Sequence, residues 1–188
     1  MSVELKQVFS GKRLDEIHAL YETAFPASEK KPFSMIVSGQ GTGLVEILSL
    51  EENNRFLGLA IMAKARDRVL LDYFAIADEV RGHGAGSAAL QALRERYQGM
   101  RIIIEIESTK CVDEEELVLR TRRKKFYLRN GFTMLPYYID LWGTEMEMLS
   151  NGQPCPYEEY LDIYTTAFGT KVSDKIHFLG DAPAADEI

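Results

Sequence analysis

The spacing of apolar positions changes several times along the chain, and each change marks an element. Val3 to Phe9 alternates between apolar and polar, the period-two pattern of a half-buried strand. Leu14, Ile17, Tyr21 and Ala24 then fall on one helical stripe of about three turns that Pro26 ends. Phe33 to Val37 predicts a short helix stopped by Gly39, Gly41 and Gly43. Leu44 to Leu50 and Arg55 to Ala65 flank Glu51-Glu52-Asn53-Asn54, a turn-rich connection that predicts an antiparallel hairpin. Val69 to Ile76, set off by Arg66-Asp67-Arg68, extends the meander by one strand.

The middle of the chain has a different character. Val69 to Ile76 runs into a glycine-rich turn, a helix with Ala89, Leu90, Leu93 and Tyr97 in register, and the strand Arg101 to Glu107. Such a βαβ unit joins parallel strands, and a ligand is expected at the carboxyl ends of the strands and the amino end of the helix. Asp113 is placed to cap a further helix that carries Glu114 to Glu116 in its first turn and basic residues towards Arg129, with Gly131 closing it. Strands over Tyr137 to Trp142 and Glu145 to Leu149, joined through Gly143-Thr144, precede a last amphipathic helix. That helix carries Tyr157, Tyr160, Leu161, Tyr164 and Phe168 and ends at Gly169, followed by an acidic tail, Asp181 to Ile188, expected to fray. The sum is an α+β pattern.

Composition narrows the function classes. A chain of 188 residues supports one sizeable core, so one domain is expected over 1–188, with a core over about 3–149 and a helical C-terminal extension over about 155–188. With 46% hydrophobic and 27% charged residues, the composition belongs to an ordinary globular protein. No apolar run approaches the roughly 20 residues that cross a bilayer, and the opening residues lack a signal-peptide core, so a cytoplasmic chain without a membrane partner is expected. A net charge of -7 argues against a nucleic-acid partner, because such an interface needs clustered Lys and Arg to displace counterions. Cys111 and Cys155 have no Cys or His neighbours at zinc spacing, so neither a disulfide nor a metal is expected.

The candidate chemistry lies in Arg81-Gly82-His83-Gly84-Ala85-Gly86-Ser87. Glycines without Cβ atoms let successive N–H groups converge on an anion at a helix amino terminus, and phosphate is the natural ligand. A dinucleotide fingerprint would need a third glycine where Ser87 stands, and a P-loop would need GxxxxGK before Ser or Thr. Neither spacing is met. RxxGxG is met, by Arg81, Gly84 and Gly86, between a strand and an amphipathic helix.

With that motif, residues 71–90, LDYFAIADEVRGHGAGSAAL, and residues 125–132, KFYLRNGF, resemble the GNAT family of acyl-CoA-dependent N-acetyltransferases. The resemblance covers roughly Val3 to Leu149 and implies a layered α/β/α arrangement. It would hold a mixed, mostly antiparallel sheet with a central, splayed parallel strand pair flanked by helices. It further implies acetyl-CoA as co-substrate and a small-molecule or peptide amine as acceptor. Arg81, Gly82, Gly84, Ala85, Gly86 and Ser87 would then cradle the coenzyme A pyrophosphate. Phe74, Ala75 and Ile76 would form a bulge that binds the pantetheine arm and the acyl carbonyl. Tyr127 takes the place of the family tyrosine that protonates the departing thiolate or holds its sulfur. Many members carry an Asn seven residues before that tyrosine, whereas this chain has Arg120.

The acceptor side rests on the residues themselves. Period-two geometry puts Glu105 and Glu107 on one face of their strand, about 7 Å apart, where they suit an ammonium and its proton. Glu107, nearer the strand's end, is the first choice of base, Glu105 the second, and Asp72 a further base or a structural partner. Each has a bland alternative: a core position for Tyr127, a solvated strand end for the glutamates, a loop surface for His83. The basic run Arg120 to Arg129 reads chiefly as a solvated helix face paired with Glu114 to Glu116. A homodimer through Gln153 to Ala167 and burial of its tyrosines within the chain both stay open. As whole-protein readings, a non-catalytic acyl-CoA-binding module and a protein N-acetyltransferase stand beside a small-amine acetyltransferase.

Overall fold

The computed structural model describes residues 2–110 and 113–182. Cys111 and the tail from Pro183 onwards lie outside the described residues. The order of elements is β1 (Glu4–Gln7), α1 (Lys12–Ala24), α2 (Phe33–Gly41), β2 (Val45–Glu52), β3 (Arg55–Ala65), β4 (Arg68–Ile76), α3 (Ala85–Arg96), β5 (Arg101–Glu107), α4 (Glu114–Arg129), β6 (Thr133–Leu141), β7 (Thr144–Ser150), α5 (Tyr157–Phe168), α6 (Thr170–Ser173) and β8 (Ile176–Asp181).

Eight strands form one sheet in the order β1-β2-β3-β4-β5-β7-β6-β8. Only β4 and β5 are parallel, and their ladder is short: Arg68 faces Arg101, Val69 faces Ile102, and Leu70 faces Ile103. Beyond those pairs the two strands part. The split is stabilised from both sides. On β3 the partner register shifts between Ile61, opposite Tyr73, and Met62, opposite Leu71, so Asp72 is an extra residue in β4 that bends it away. On β5 the other edge is fully taken by β7, from Ile103–Ser150 to Glu107–Met146. The bulge expected at Phe74 to Ile76 therefore sits at Asp72 instead. Strand β3 supports the exit of β4 closely, since a Cβ on Gly58 would come within 2.2 Å of the Ala75 carbonyl oxygen.

Helices cover both faces. Ala89, Leu90 and Leu93 of α3 and Tyr127 of α4 pack with Leu48, Leu50, Met62, Ile102 and Ile104 on one side. On the other, Ile17 and Tyr21 of α1 and Ile36 of α2 cover Val45, Ile47 and Ile61. Tyr160, Ile163 and Tyr164 of α5 cover Leu70, Ile103 and Met148. The β2–β3 turn uses left-handed Asn53 and Asn54, φ 51° and 62°, the geometry whose twist matches a hairpin. Asp113 caps α4 by accepting from the Glu116 amide at 2.9 Å.

Three expectations change. Helix α2 runs on through Gly39, where a Cβ would strike Val45 at 2.6 Å, so this glycine serves close packing and does not stop the helix. The segment after α5 is not wholly helical: β8 returns to pair with β6, from Leu141–Ile176 to Tyr137–Asp181. Its alternation was masked by the short His177-Phe178-Leu179 stretch beside Gly180. Trp142 lies in the β6–β7 turn and outside the strand. No described helix is long and apolar enough to cross a membrane.

Candidate functional site

The amino terminus of α3 opens directly onto the gap between β4 and β5. Gly82 and Gly84 hold φ of 82° and 85°, a left-handed conformation that costs a residue with a Cβ about 1–2 kcal/mol. Space is no constraint there, because nothing lies within 4 Å of a Cβ built on either. Gly84 is the helix N-cap, so the first-turn amides that follow it have no intrahelical acceptor and aim at the cavity. Gly86 has a different reason to be glycine: a Cβ would stand 3.1 Å from the Phe126 ring, so α3 and α4 approach closely through it. The Arg81 side chain folds back, donating from Nε to the Ile76 carbonyl at 2.9 Å and pairing with Asp78 at 2.7 Å. His83 is exposed in the turn.

Phe74, Ala75, Ile76, Arg81, Gly82, Gly84, Ala85, Gly86, Ser87, Glu105, Glu107 and Tyr127 all line one cavity of about 570 Å³. The sequence had linked them only within separate local groups. Arg122 and Arg129 of α4 join the same wall near the helix terminus and have no carboxylate partner among the described residues. The basic run is thus divided. Arg120 bonds Glu116 at 2.8 Å and reaches Glu107 at 3.4 Å, and Lys124 pairs with Glu147 at 2.9 Å. Arg123 also pairs with Glu107. The two remaining arginines add positive charge to the cavity wall.

The two glutamates on β5 differ sharply. Glu107 is held by two guanidiniums and its charge is already matched. Glu105 is half-buried, accepting from the Tyr160 hydroxyl and from the Tyr164 hydroxyl at 3.0 Å. Burial, then the neighbouring Asp72 carboxylate, pushes Glu105 up to about 7, against the pull of Lys31 and the two tyrosines. The Tyr164 hydroxyl also approaches Asp72 Oδ1 at 3.4 Å, which links the two carboxylates across the parted strands. The order of preference read from the sequence, Glu107 before Glu105, is the reverse of what these environments favour for proton transfer. Tyr127 is buried between Phe126 and Phe132, and burial pushes its phenol up to about 12, with Arg123 opposing. Among the described residues it makes no side-chain hydrogen bond, so its hydroxyl is available to the cavity that it lines.

Sequence reasoning missed Lys31, Trp142 and the roles of Tyr160 and Tyr164. For the last two, a dimer surface and burial within the chain had both stayed open, and they are fully buried against the chain's own sheet. Their period in α5 was visible, but nothing local told which sheet face would cover them.

The sequence profile of the acetyltransferase (GNAT) domain matches residues 44–134, from β2 through the split, the α3 turn and α4. The chain carries a GNAT acetyltransferase domain. It is therefore an N-acetyltransferase, and acetyl-CoA is its donor. The residues fit that donor: an anion cradle with left-handed glycines, two unpaired arginines beside it, and a cavity leading from there into the sheet. No group of three or more potential metal ligands occurs among the described residues.

No curated protein sequence matches the chain. Solved structures show the same GNAT fold. An acetyltransferase described as of the GNAT family from Bacteroides thetaiotaomicron superposes with a TM-score of 0.74 at 19% identity, covering 88% of this chain and 98% of its own. A Bacillus subtilis acetyltransferase in complex with CoA gives 0.55 at 15% identity, covering 79% and 96%. A spermidine N-acetyltransferase from Vibrio cholerae gives 0.58 at 13% identity, covering 79% and 92%. At these identities the likeness concerns the fold.

Proposed function

We propose that this GNAT domain transfers acetyl from acetyl-CoA directly to a primary amine of a small molecule or peptide, both substrates being bound together. The observation that supports this best is the single cavity running from the α3 amino terminus to Glu105 and Asp72 between the parted strands. In this reading the amides of Gly82 to Ser87, with Arg122 and Arg129, bind the pyrophosphate, where the helix dipole adds to the positive charge. The thioester supplies an activated acyl carbon and a leaving thiolate.

Glu105 takes a proton from the acceptor's ammonium, directly or through water, and leaves a neutral amine to attack the acyl carbon. A carboxyl raised to about 7 is suited to this, since enough of it is ionised near neutral pH and its conjugate acid is not too strong. Backbone N–H groups of Phe74 and Ile76, which face the β5 side and are freed from it by the split, donate to the acyl oxygen as negative charge grows on it. The nitrogen–carbon bond forms, the carbon–sulfur bond breaks, and the second amine proton is released. Tyr127 donates its hydroxyl to the departing sulfur. A phenol at about 12 is a weaker acid than a thiol near 8.5, so Tyr127 acts chiefly as a hydrogen-bond donor to the thiolate and only weakly as a proton source. Glu107, paired with Arg120 and Arg123, positions α4 against β5.

The test is thiol release from acetyl-CoA across a panel of primary amines, beside calorimetry of acetyl-CoA alone. Amine-dependent release is expected. Binding without release for any amine would leave a binding module only, and no binding at millimolar acetyl-CoA would remove the reading altogether.

A further inference from the structure

Lys31 lies in the connection between α1 and α2, where a lysine ordinarily extends into water. Its side chain is 3% exposed, and Nζ pairs with Asp72 Oδ1 at 2.7 Å. Four aromatic rings surround the same nitrogen, with centroids at 4.7 Å (Tyr164), 4.8 Å (Phe168), 4.9 Å (Trp142) and 5.0 Å (Tyr73). A carboxylate below and π faces around is the chemistry that recognises an alkylammonium. The rings come from β4, the β6–β7 turn and α5, so no single segment is responsible for the enclosure.

Three further features show that the enclosure is built. Trp142 holds φ 54°, a left-handed backbone that a bulky residue adopts only when its surroundings enforce it. The Lys31 backbone is fixed on both sides: its carbonyl accepts from the Tyr21 hydroxyl at 2.7 Å, and its amide donates to the Tyr73 hydroxyl at 3.0 Å. Asp72 Oδ2 is buried without a hydrogen-bond partner, so Lys31 satisfies only half of that carboxylate. Lys31, Asp72, Tyr73, Glu105 and Tyr164 all line the cavity that reaches the α3 turn.

We propose that this cage is the acceptor-amine subsite, that it takes a linear primary alkylammonium, and that Lys31 occupies it as an intramolecular stand-in which the acceptor must displace. The proposal rests on the acetyl-transfer reading. A primary ammonium supplies N–H groups for both Asp72 oxygens, which a quaternary one lacks. An unbranched carbon beside nitrogen leaves room for rings about 5 Å from it, which a branched one does not. An amine seated on Asp72 is next to Glu105 through the Tyr164 hydroxyl.

The probe is n-butylammonium, a lysine side chain without its backbone, with tert-butylammonium as the branched control. In Lys31→Ala the cage is vacant. Its KM for n-butylamine is expected to fall at least about tenfold below that of the unaltered protein, with no comparable gain for tert-butylamine. Without acetyl-CoA, n-butylammonium is expected to raise the melting temperature of Lys31→Ala more than that of the unaltered protein. Equal KM values together with equal thermal shifts in the two proteins would overturn the proposal, even if acetyl transfer itself is observed. A selective thermal shift without any turnover would instead contradict the acetyl-transfer reading and leave alkylammonium recognition supported. Should Lys31→Ala fail to fold, Phe168→Ala opens one wall of the cage with Lys31 kept; its KM for n-butylamine is expected to rise while that for tert-butylamine stays the same, and an unchanged KM for n-butylamine would overturn the proposal.

Discussion

Glu105 and Glu107 are separated by one strand repeat and share a face, yet their surroundings assign them different work. Glu105 lies among hydroxyls and a second carboxylate, while Glu107 faces two guanidiniums. Glu105→Gln is expected to lower kcat/KM by about 100-fold or more, the usual contribution of a positioned base. It is also expected to abolish the rise in rate with an apparent midpoint near pH 7 that the unaltered protein should show. Glu107→Gln should keep that limb. The same carboxyl links stability to pH. Its folded value is raised, so its contribution is full below the unfolded value near 4.3 and is lost as pH rises through about 7. The melting temperature of the unaltered protein relative to Glu105→Gln should accordingly fall across that window, and a flat or rising difference would argue against a raised Glu105. Tyr127→Phe removes a donor to the sulfur and nothing that binds the pyrophosphate. Its kcat should drop about 100-fold while the acetyl-CoA dissociation constant stays nearly constant, which calorimetry beside steady-state kinetics can check.

At the scale of elements, the α3 turn was readable because its chemistry is local. Left-handed glycines, a strand before and a helix after all lie within one short stretch, and RxxGxG falls between that strand and that helix. What the motif hides is that its glycines do different things. Gly84 is demanded by φ, Gly86 by the Phe126 ring. Gly86→Val should therefore cost about 1–3 kcal/mol through overpacking at the α3–α4 contact, and it should weaken acetyl-CoA binding by shifting the helix terminus. Denaturant unfolding and calorimetry read the two effects separately. The bulge was less readable, because one extra residue in a strand leaves the apolar pattern almost intact. Only the β3 partner register shows that the extra residue is Asp72.

At the scale of the molecule, legibility declined with sequence distance. Most strands, the α+β pattern and the parallel pair followed from periodicity, and the layered arrangement from the resemblance to the GNAT family. The cage around Lys31 did not, because it unites residues from 31 to 168 that only the sheet's strand order brings together. Strand β8 was also missed, and it shows the same dependence: its pairing with β6 closes the sheet edge beside the turn that carries Trp142. The pyrophosphate turn at the donor end of the cavity is thus encoded in one contiguous segment, whereas the acceptor end is assembled by topology. A crystal structure with acetyl-CoA examines both ends at once. The pyrophosphate should lie within hydrogen-bond distance of the Gly82 to Ser87 amides, with the acetyl group in the gap between β4 and β5, near Phe74 to Ile76 and facing Glu105. Coenzyme A seated anywhere else, or an acetyl group turned away from that gap, would contradict the account.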